Sequence, residues 1–375
     1  MTGGTGRADE ALTGSTIRVR AIDYHTGGEP FRIVLDGAPD LQGRTVLERR
    51  RWALEHVDAT RRLLIDEPRG HADMYGAYVT PPNDAGADLG VVFFHNEGYS
   101  TACGHGTIAL VTWALESGRL EGRPVDGESR LRAVTVDVPS GRLPCVAELE
   151  AQHSTEGSAE GSSEDRHSPA LPRVRRVTFR NVPSFVLATG VEVQTSRGRI
   201  HADVSFGGAF YGSVDARSIS LGVSRASLDD LIALQRELRP ALDAALDPTH
   251  PDEPELRGIY GIIFWQAERD EGGVDLVQRN VTVFADGEVD RSPCGSGTSA
   301  RLALLDASGD LPRGRTLRHR SIVDSVFEAR VTGDGPAIGG RASVLTEVSG
   351  SAYATGTHEF TLDPRDPLGT GFLLR

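Results

Sequence analysis

The chain alternates between short runs of β-branched and aromatic residues and a few segments with helical spacing of apolar positions. The runs rich in Val, Ile and Phe, bounded by Gly, Pro and Asp, predict strands. The predicted strands cover residues 16–21, 31–35, 91–94, 133–138, 177–179, 261–265, 280–284 and 327–331. Because strands and helices are mixed without a regular strand–helix–strand rhythm, the pattern favours an α+β fold over a doubly wound parallel sheet.

Two segments carry the signals of a helix start. The sequence TVLE at 45–48 matches a capping box and predicts a helix that runs to about Arg62. Ser227 begins a second predicted helix, which has its leucines on one face and an end near Pro240.

An internal repeat is the most informative pattern in the chain. Residues 103–120 read CGHGTIALVTWALESGRL, residues 294–311 read CGSGTSARLALLDASGDL, and the two agree at eight of 18 positions. In each copy the predicted helix is followed by Ser-Gly, and Gly118 and Gly309 suit the left-handed position after a helix. We therefore predict two homologous halves, each with a central helix that presents a cysteine at its N-terminus.

A cysteine at a helix N-terminus has a chemical use. The terminus carries partial positive charge, so we expect it to lower the pKa of Cys103 and Cys294 toward neutrality. The N–H groups beside Gly104 and Gly295 are expected to hold a substrate carboxylate. Two thiols that flank one α-carbon predict removal of a proton from one face and its return on the other. Backbone dipoles would stabilise the carbanion without a metal or pyridoxal cofactor.

Other interpretations stay open at this point. A lone cysteine in a glycine-rich turn is commonly a packing residue, and Cys145, which has no counterpart in the repeat, is assigned that role. A non-catalytic amino-acid-binding protein would use the same cleft without turnover. A nucleophilic hydrolase would pair Cys103 with His105, although residues two apart at a helix start do not readily point at each other.

Composition narrows the function classes. A length of 375 residues accommodates two domains, and the net charge of −13 argues against nucleic acid or anionic membrane as a partner. Three cysteines do not form a disulfide framework or a zinc ribbon. The chain has no apolar run of membrane-spanning length and no signal-peptide pattern, so the cytoplasm is the expected compartment. The polar segment 148–173 is predicted to be a flexible insertion.

At its motifs the chain resembles the proline racemase family, which includes proline racemases, 4-hydroxyproline 2-epimerases and trans-3-hydroxy-L-proline dehydratases. The similar motifs are DYHTGGEP at 23–30, EPRGHADMYG at 67–76, NEGYSTACGH at 96–105, NVPSF at 181–185 and DRSPCGSGT at 290–298. The resemblance implies a fold like that of diaminopimelate epimerase, with two pseudo-symmetric halves, each a curled sheet around a central helix, and the active site between them. The implied first half covers 16–180 plus 346–375, and the second covers 181–345.

The resemblance also implies roles for individual residues. Cys103 and Cys294 would be the two catalytic bases, acting without cofactor or metal on a small imino acid, and a homodimer is one expected assembly. Backbone groups at Gly104, His105, Gly295 and Ser296 are implied to hold the substrate carboxylate. The side chains of His105 and Asp290 would orient the amine, and Tyr75 and Phe284 would pack against the ring. Without the resemblance, the two aromatic residues are ordinary core residues and Asp290 is equally a turn cap.

The second thiol position indicates the branch of the family. In the dehydratase branch a Thr typically replaces the second cysteine, because elimination of a 3-hydroxyl needs only one base at the α-carbon. Cys294 therefore favours a cofactor-independent racemase or epimerase that inverts proline or 4-hydroxyproline. Segments 74–76 and 96–100 look like the dehydratase branch, and Ala102 departs from the usual methionine. Dehydration of trans-3-hydroxy-L-proline is thus the alternative.

Overall fold

The structure, a computed structural model, describes residues 17–151, 171–269 and 276–374. Most of the predicted flexible insertion, residues 152–170, lies outside the described residues, so its order stays a prediction. On its two flanks the chain is paired, since the Glu150 N–H donates to the Arg173 carbonyl at 2.9 Å. Within the described ranges, no helix combines the length and the apolar composition that crossing a membrane requires.

The first part of the chain contains three helices within a set of strands. The helices are α1 (Val46–His56), α2 (Asp58–Ile65) and α3 (Gly104–Glu116). The strands are β1 (Ile17–Thr26), β2 (Glu29–Asp36), β3 (Tyr75–Thr80), β4 (Leu89–His95), β5 (Arg123–Val125), β6 (Glu128–Val138), β7 (Gly141–Leu149) and β8 (Val174–Arg180).

The second part has two long helices, α4 (Leu228–Leu246) and α5 (Gly295–Ser308). Its strands are β9 (Ser184–Thr195), β10 (Gly198–Phe206), β11 (Phe210–Asp215), β12 (Ile259–Glu268), β13 (Leu276–Phe284), β14 (Glu288–Asp290), β15 (Leu317–Arg320), β16 (Val326–Asp334), β17 (Ser343–Gly350) and β18 (Ala352–Leu362).

The strand pairing repeats between the two parts. In the first part, β1 and β2 form an antiparallel pair, and the chain passes through α1 and α2 to β3, which pairs parallel with β2. Strand β4 pairs antiparallel with β3, and α3 leads on toward β6, which pairs parallel with β4. In the second part, β10 and β11 form an antiparallel pair, and the chain passes through α4 to β12, which pairs parallel with β11. Strand β13 pairs antiparallel with β12, and α5 leads to β15, which pairs parallel with β13. The internal repeat seen around the cysteines therefore extends to the topology of both halves.

Each sheet curls around one helix. Helix α3 packs against β1, β2, β8 and β18, whereas α5 packs against β9, β10, β16 and β17. The last strand, β18, pairs with β1 along its length, and β17 joins the two sheets by pairing with β8, β9 and β16. The predicted α+β fold, two pseudo-symmetric halves around central helices, is confirmed. The residue boundaries predicted for the halves, 16–180 plus 346–375 and 181–345, stay a prediction.

The two central helices are buried on all sides. Every residue from Gly104 to Leu115 in α3 is buried, as the absence of a polar face predicts. Helix α5 is equally buried from Gly295 to Leu305, although it is more polar. Its polar side chains find partners inside the protein; Arg301, for example, donates to Gln278 at 3.1 Å. Burial of these groups is tolerated because they are hydrogen-bonded.

The predicted helix from 45 to about Arg62 is interrupted. The capping box at Thr45 and Glu48 is present, but Val57 has a non-helical backbone and separates α1 from α2. Helix α2 buries its leucines and Ile65, whereas α1 buries only Val46, Arg49 and Ala53.

The predicted end of the second helix near Pro240 is wrong. Helix α4 begins after Ser227 as expected, but it continues through Pro240 to Leu246. Leu238 and Leu242 are buried on either side of the proline, and burial of this apolar face outweighs the loss of one intrahelical hydrogen bond.

The N-termini of α3 and α5 meet at two glycines. A Cβ atom on Gly104 would lie 2.5 Å from the Gly295 Cα and 2.9 Å from the Phe179 ring. A Cβ atom on Gly295 would lie 2.6 Å from the Gly104 Cα. Only residues without a side chain permit this approach, which brings the two helix starts into contact.

We predict that Gly104→Ala lowers the free energy of unfolding by about 1–3 kcal/mol, because the new methyl group must push the two helix starts apart. Thermal or denaturant unfolding measures the effect. Gly333→Ala is the matched control, since a Cβ atom at Gly333 would have nothing within 4 Å. Equal stability of the two variants would contradict the close contact between α3 and α5.

Candidate active site

The first predicted thiol caps helix α3. Cys103 is the N-cap residue, and its sulfur accepts the Gly106 backbone N–H at 3.3 Å. The Nε2 atom of His105 lies 3.4 Å from the same sulfur. The Thr26 hydroxyl, at the end of β1, donates to the His105 carbonyl at 2.9 Å. The helix start that holds Cys103 therefore also places His105 beside it.

The second predicted thiol caps α5 with a different backbone conformation. Cys294 has a φ of 61°, in the left-handed region that residues with a side chain rarely adopt. A turn supports this conformation: Asp290 Oδ1 accepts the Ser292 backbone N–H at 2.8 Å and the Ser292 hydroxyl at 2.7 Å. The Ser292 oxygen accepts the Cys294 N–H at 3.1 Å. Asp290 thus helps to position the second sulfur.

Glu29 and Arg291 join this turn to the other half of the protein. Glu29 in β2 is fully buried, and its Oε2 atom accepts the Arg291 backbone N–H at 2.7 Å. The Arg291 guanidinium approaches the same oxygen at 3.4 Å and donates to the Asp73 carbonyl at 2.7 Å. Burial raises the pKa of Glu29 well above its usual value. The segment that carries Asp290 and Cys294 is consequently anchored to the first half.

Both sulfurs line one small cavity between the two halves. The predicted residues that line it together with Cys103 and Cys294 are Tyr75, Gly104, His105, Phe284, Asp290 and Ser296. Gly295 is not on the cavity wall; it contacts Gly104 from the other helix. The structure therefore brings the predicted site residues together, while the role of each stays a prediction.

Sequence reasoning missed three residues of the cavity wall: Ala102, Tyr211 and Tyr260. The Tyr211 hydroxyl lies 2.7 Å from Ser296 Oγ and 3.9 Å from the Cys294 sulfur. Tyr211 carries no motif that would have identified it in the sequence, whereas Ala102 lies in the motif at 96–105 and was noted only as a departure from the usual methionine.

Tyr260 does have a sequence signal, because it occupies the position of Tyr75 in the repeat. Tyr75-Gly76 lies at the start of β3, and Tyr260-Gly261 lies near the start of the equivalent strand β12. Gly76 is paired with Phe94 and Gly261 with Phe284, so the two Tyr-Gly pairs correspond in register. A comparison of the halves beyond the cysteine segments would have identified this tyrosine.

The thiols do not have the lowered pKa that the sequence predicts. Burial raises the pKa of Cys103 well above its usual value, although the Gly106 N–H opposes the shift. Burial and the charge of Asp290 raise the pKa of Cys294 to about 12. The prediction of a lowered pKa is wrong, because removing a thiolate from water costs more free energy than the helix N-terminus returns.

The groups expected to orient an amine are His105 and Asp290. The His105 Nδ1 atom lies 3.9 Å from Asp290 Oδ2. Burial, together with the charge of Arg291, lowers the pKa of His105 to about 3, so the imidazole is neutral. Burial raises the pKa of Asp290 to about 6, although hydrogen bonds from Ser292 oppose the shift. At neutral pH the pair therefore presents one carboxylate and one neutral ring, which together suit an ammonium group.

An aromatic wall closes the cavity on another side. The Tyr260 and Phe284 rings are stacked with their centroids 5.3 Å apart, and the Tyr75 and Phe284 centroids are 5.9 Å apart. The hydroxyl oxygens of Tyr75 and Tyr260 lie 2.9 Å from each other. The cavity thus combines two thiols, N–H groups at two helix starts, a carboxylate–imidazole pair and an apolar wall. Such a set can bind a small amino acid and transfer its α-proton.

Comparison with known proteins gives consistent matches. The sequence profile of the family described as proline racemase matches residues 21–373. The chain is 41% identical to a Bacillus cereus protein named trans-3-hydroxy-L-proline dehydratase, over 94% of this chain and 97% of the relative. It is 44% identical to a Burkholderia multivorans protein named 3-hydroxyproline 2-epimerase, again over 94% of this chain and 97% of the relative.

A solved structure agrees with these sequence matches. It is a hydroxyproline epimerase from Agrobacterium vitis with bound trans-4-hydroxy-L-proline, 28% identical to this chain, with a TM-score of 0.81. The similarity covers 96% of both chains. The profile match over nearly the whole sequence, the two relatives above 40% identity and the shared fold lead to one conclusion: the chain belongs to the proline racemase family.

Proposed function

We propose that this enzyme removes the α-proton of trans-3-hydroxy-L-proline and eliminates the 3-hydroxyl as water. The observation that carries the proposal is the buried Cys103 thiol at the start of α3, on the wall of a cavity that it shares with His105 and Asp290. The relatives favour dehydration over inversion of proline or 4-hydroxyproline, because this chain is 41% identical to a protein named trans-3-hydroxy-L-proline dehydratase. The hydroxyproline epimerase of known structure is only 28% identical.

The substrate would be held at three points. Its carboxylate would accept N–H groups at the starts of α3 and α5, where Gly104 and Ser296 line the cavity. Its ammonium would lie between Asp290 and the neutral imidazole of His105. The carbon edge of the ring would then face Tyr75, Tyr260 and Phe284.

The stereochemistry of this substrate favours a single base. In trans-3-hydroxy-L-proline the carboxylate and the hydroxyl lie on opposite ring faces, so the α-hydrogen lies on the hydroxyl face. A thiol on that face reaches both groups. We assign this role to Cys103, because its sulfur lies 3.4 Å from the His105 Nε2 atom, whereas the corresponding residue beside Cys294 is Ser296, at 4.0 Å. The Gly106 N–H, 3.3 Å from the Cys103 sulfur, stabilises a thiolate there.

The elimination balances on that one thiol. The Cys103 thiolate takes the α-proton, and the electrons of the C–H bond form a double bond between C2 and C3. The C3–O bond breaks, and the departing oxygen receives the proton from the thiol and leaves as water. The thiolate is regenerated, and the product is a cyclic enamine that retains the carboxylate. Helix-start N–H groups would stabilise the negative charge that develops at the carboxylate during the first step.

The substrate itself supplies part of the ionisation. The carboxylate of Asp290 is one cause of the raised pKa of both thiols. An ammonium bound beside Asp290 offsets that negative charge, so substrate binding lowers the pKa of the thiol that must become the base.

C2 epimerisation of a 3-hydroxyproline is the second candidate function. The specific observation that favours it is the second thiol, Cys294, together with 44% identity to a protein named 3-hydroxyproline 2-epimerase. The first step is the same for both reactions. They diverge when the carbanion either loses hydroxide or receives a proton from Cys294 on the opposite face.

We predict that Cys103→Ser reduces dehydration of trans-3-hydroxy-L-proline by at least about a thousandfold, because the hydroxyl is a far weaker base than a thiolate. Cys294→Ser is expected to retain dehydration within about tenfold and to lose any C2 inversion. Loss of substrate, formation of product and uptake of deuterium at the α-carbon in deuterated water report the two reactions separately.

Cys145→Ser is the control for the cysteine variants, because Cys145 is buried in β7 and does not line the cavity. Inversion of L-proline or trans-4-hydroxy-L-proline by the unaltered enzyme, without dehydration of the 3-hydroxy substrate, would contradict the proposal. Undiminished dehydration by Cys103→Ser would contradict the assignment of the base.

We predict that kcat/KM rises with pH across the neutral and alkaline range. The reacting thiolate is the minor form at neutral pH, because burial raises the pKa of both thiols, and its fraction grows about tenfold per pH unit. Below pH about 6 the fall should steepen, since Asp290 becomes protonated and no longer attracts the ammonium. The pH profile of kcat/KM measures both limbs, and Asp290→Asn should raise KM and remove the steeper acid limb. A rate that is constant from about pH 6 to about pH 9 would refute the raised thiol pKa.

A further inference from the structure

We propose that the hydroxyl pair of Tyr75 and Tyr260 recognises the ring hydroxyl of the substrate and thereby determines specificity for a hydroxylated imino acid. This inference rests on the proposed function, in which the cavity binds a hydroxylated imino acid, and it names the residues that recognise the hydroxyl. The two Oη atoms lie 2.9 Å apart, and both side chains line the cavity that holds the sulfurs.

The protons of this hydroxyl chain can be assigned. The Ser100 hydroxyl donates to the Ala102 carbonyl at 3.2 Å, and a carbonyl can only accept. The Tyr75 hydroxyl donates to Ser100, so its own proton is also used. Tyr260 must therefore donate to Tyr75. Every hydroxyl in this series therefore donates toward the Ala102 carbonyl, and the lone pairs of the Tyr260 oxygen are left to accept a hydrogen bond from a ligand.

The position of the pair suits a group on the carbon edge of the ring. The carboxylate and the ammonium are assigned to the helix starts and to the His105–Asp290 pair, and His105 packs edge-on against the Tyr75 ring with the centroids 4.9 Å apart. The ring edge that carries C3 is then left to face the aromatic wall. Within that wall Tyr75 is also close to the first sulfur, because the charge of Cys103 is among the causes that raise the pKa of Tyr75.

Recognition in this direction fits the elimination. A ring hydroxyl that donates its proton to Tyr260 keeps its own lone pairs free to receive the proton that the thiol returns. Burial raises the pKa of Tyr75 and of Tyr260 well above the usual value, so both stay protonated. The tyrosines would therefore orient the leaving group and would not act as its acid.

The same arrangement discriminates against an unhydroxylated ring. Tyr75 is almost fully buried, and the partly buried Tyr260 lines the small cavity beside it. A ligand without a hydroxyl would cover the Tyr260 lone pairs with carbon and leave them unpaired, which is unfavourable once the ligand excludes water from them. Preference for the hydroxylated ligand follows from this cost as much as from the hydrogen bond gained.

Calorimetric binding of trans-3-hydroxy-L-proline and of L-proline tests the inference, with Cys103→Ser as the parent protein so that no ligand is consumed. We expect the parent to bind the hydroxylated ligand more tightly. Adding Tyr260→Phe should reduce the ratio of the Kd for L-proline to the Kd for trans-3-hydroxy-L-proline by about three- to tenfold, the effect of losing one neutral hydrogen bond. Tyr75→Phe should reduce the ratio as well, because Tyr260 then loses the acceptor that orients its proton.

Tyr78→Phe is the matched control. Tyr78 lies in the same strand, is buried, and its hydroxyl has no hydrogen-bond partner within the described part of the chain. It does not line the cavity, so its removal should leave the ratio of Kd values unchanged.

Equal affinity of the parent for the two ligands, or the same ratio in Tyr260→Phe as in Tyr78→Phe, would overturn the inference. The two proposals can fail separately. A protein that prefers the hydroxylated ligand through Tyr260 but does not release water from it would refute the dehydration and leave the recognition intact.

Discussion

The contact between two helix N-termini is the constraint on which the site depends. Gly104 and Gly295 meet backbone to backbone, and this contact fixes how far apart the residues immediately before them, Cys103 and Cys294, can lie. The curled sheets stabilise this contact, because the strands of each sheet pack around one central helix and fix its position. A side chain at either glycine would separate the halves where the sulfurs must share one cavity. The duplicated topology therefore has a specific consequence: it brings two equivalent helix starts together across the pseudo-twofold axis.

Burial of the thiols has opposite effects on their chemistry. Removing water makes the thiolates of Cys103 and Cys294 harder to form, and the nearby carboxylate of Asp290 adds to that cost. The same exclusion of water strengthens every dipole that stabilises a carbanion. Under the proposed function, a substrate that brings its own ammonium would resolve the conflict, since the positive charge is present only when the base is needed. Substrate binding would then raise the fraction of thiolate in the site.

Much of this arrangement could be predicted from the sequence, for physical reasons that also explain the failures. The duplicated Cys-Gly-x-Gly-Thr segments identified the central helices, because a helix that starts at a capping cysteine and ends at a glycine leaves a local signature. The raised pKa of Cys103 could not be predicted, since it depends on complete burial by strands distant in sequence. Tyr211 was missed because nothing local marks it. Helix α4 passes through Pro240 because packing of Leu238 and Leu242 overrides a local rule.

The pseudo-symmetry of the halves is not exact at the reacting groups, and the differences bear on the chemistry. The third position of the repeat is His105 beside Cys103 but Ser296 beside Cys294, and the sulfur contacts are 3.4 Å and 4.0 Å. Cys103 has an extended backbone, whereas Cys294 is left-handed. Racemisation of a symmetric kind would use two bases of matched strength. Unequal surroundings instead favour a reaction in which one thiol acts as the base and the other thiol only influences the fate of the carbanion. The presence of a second cysteine is therefore weaker evidence for inversion than its position in the repeat suggests.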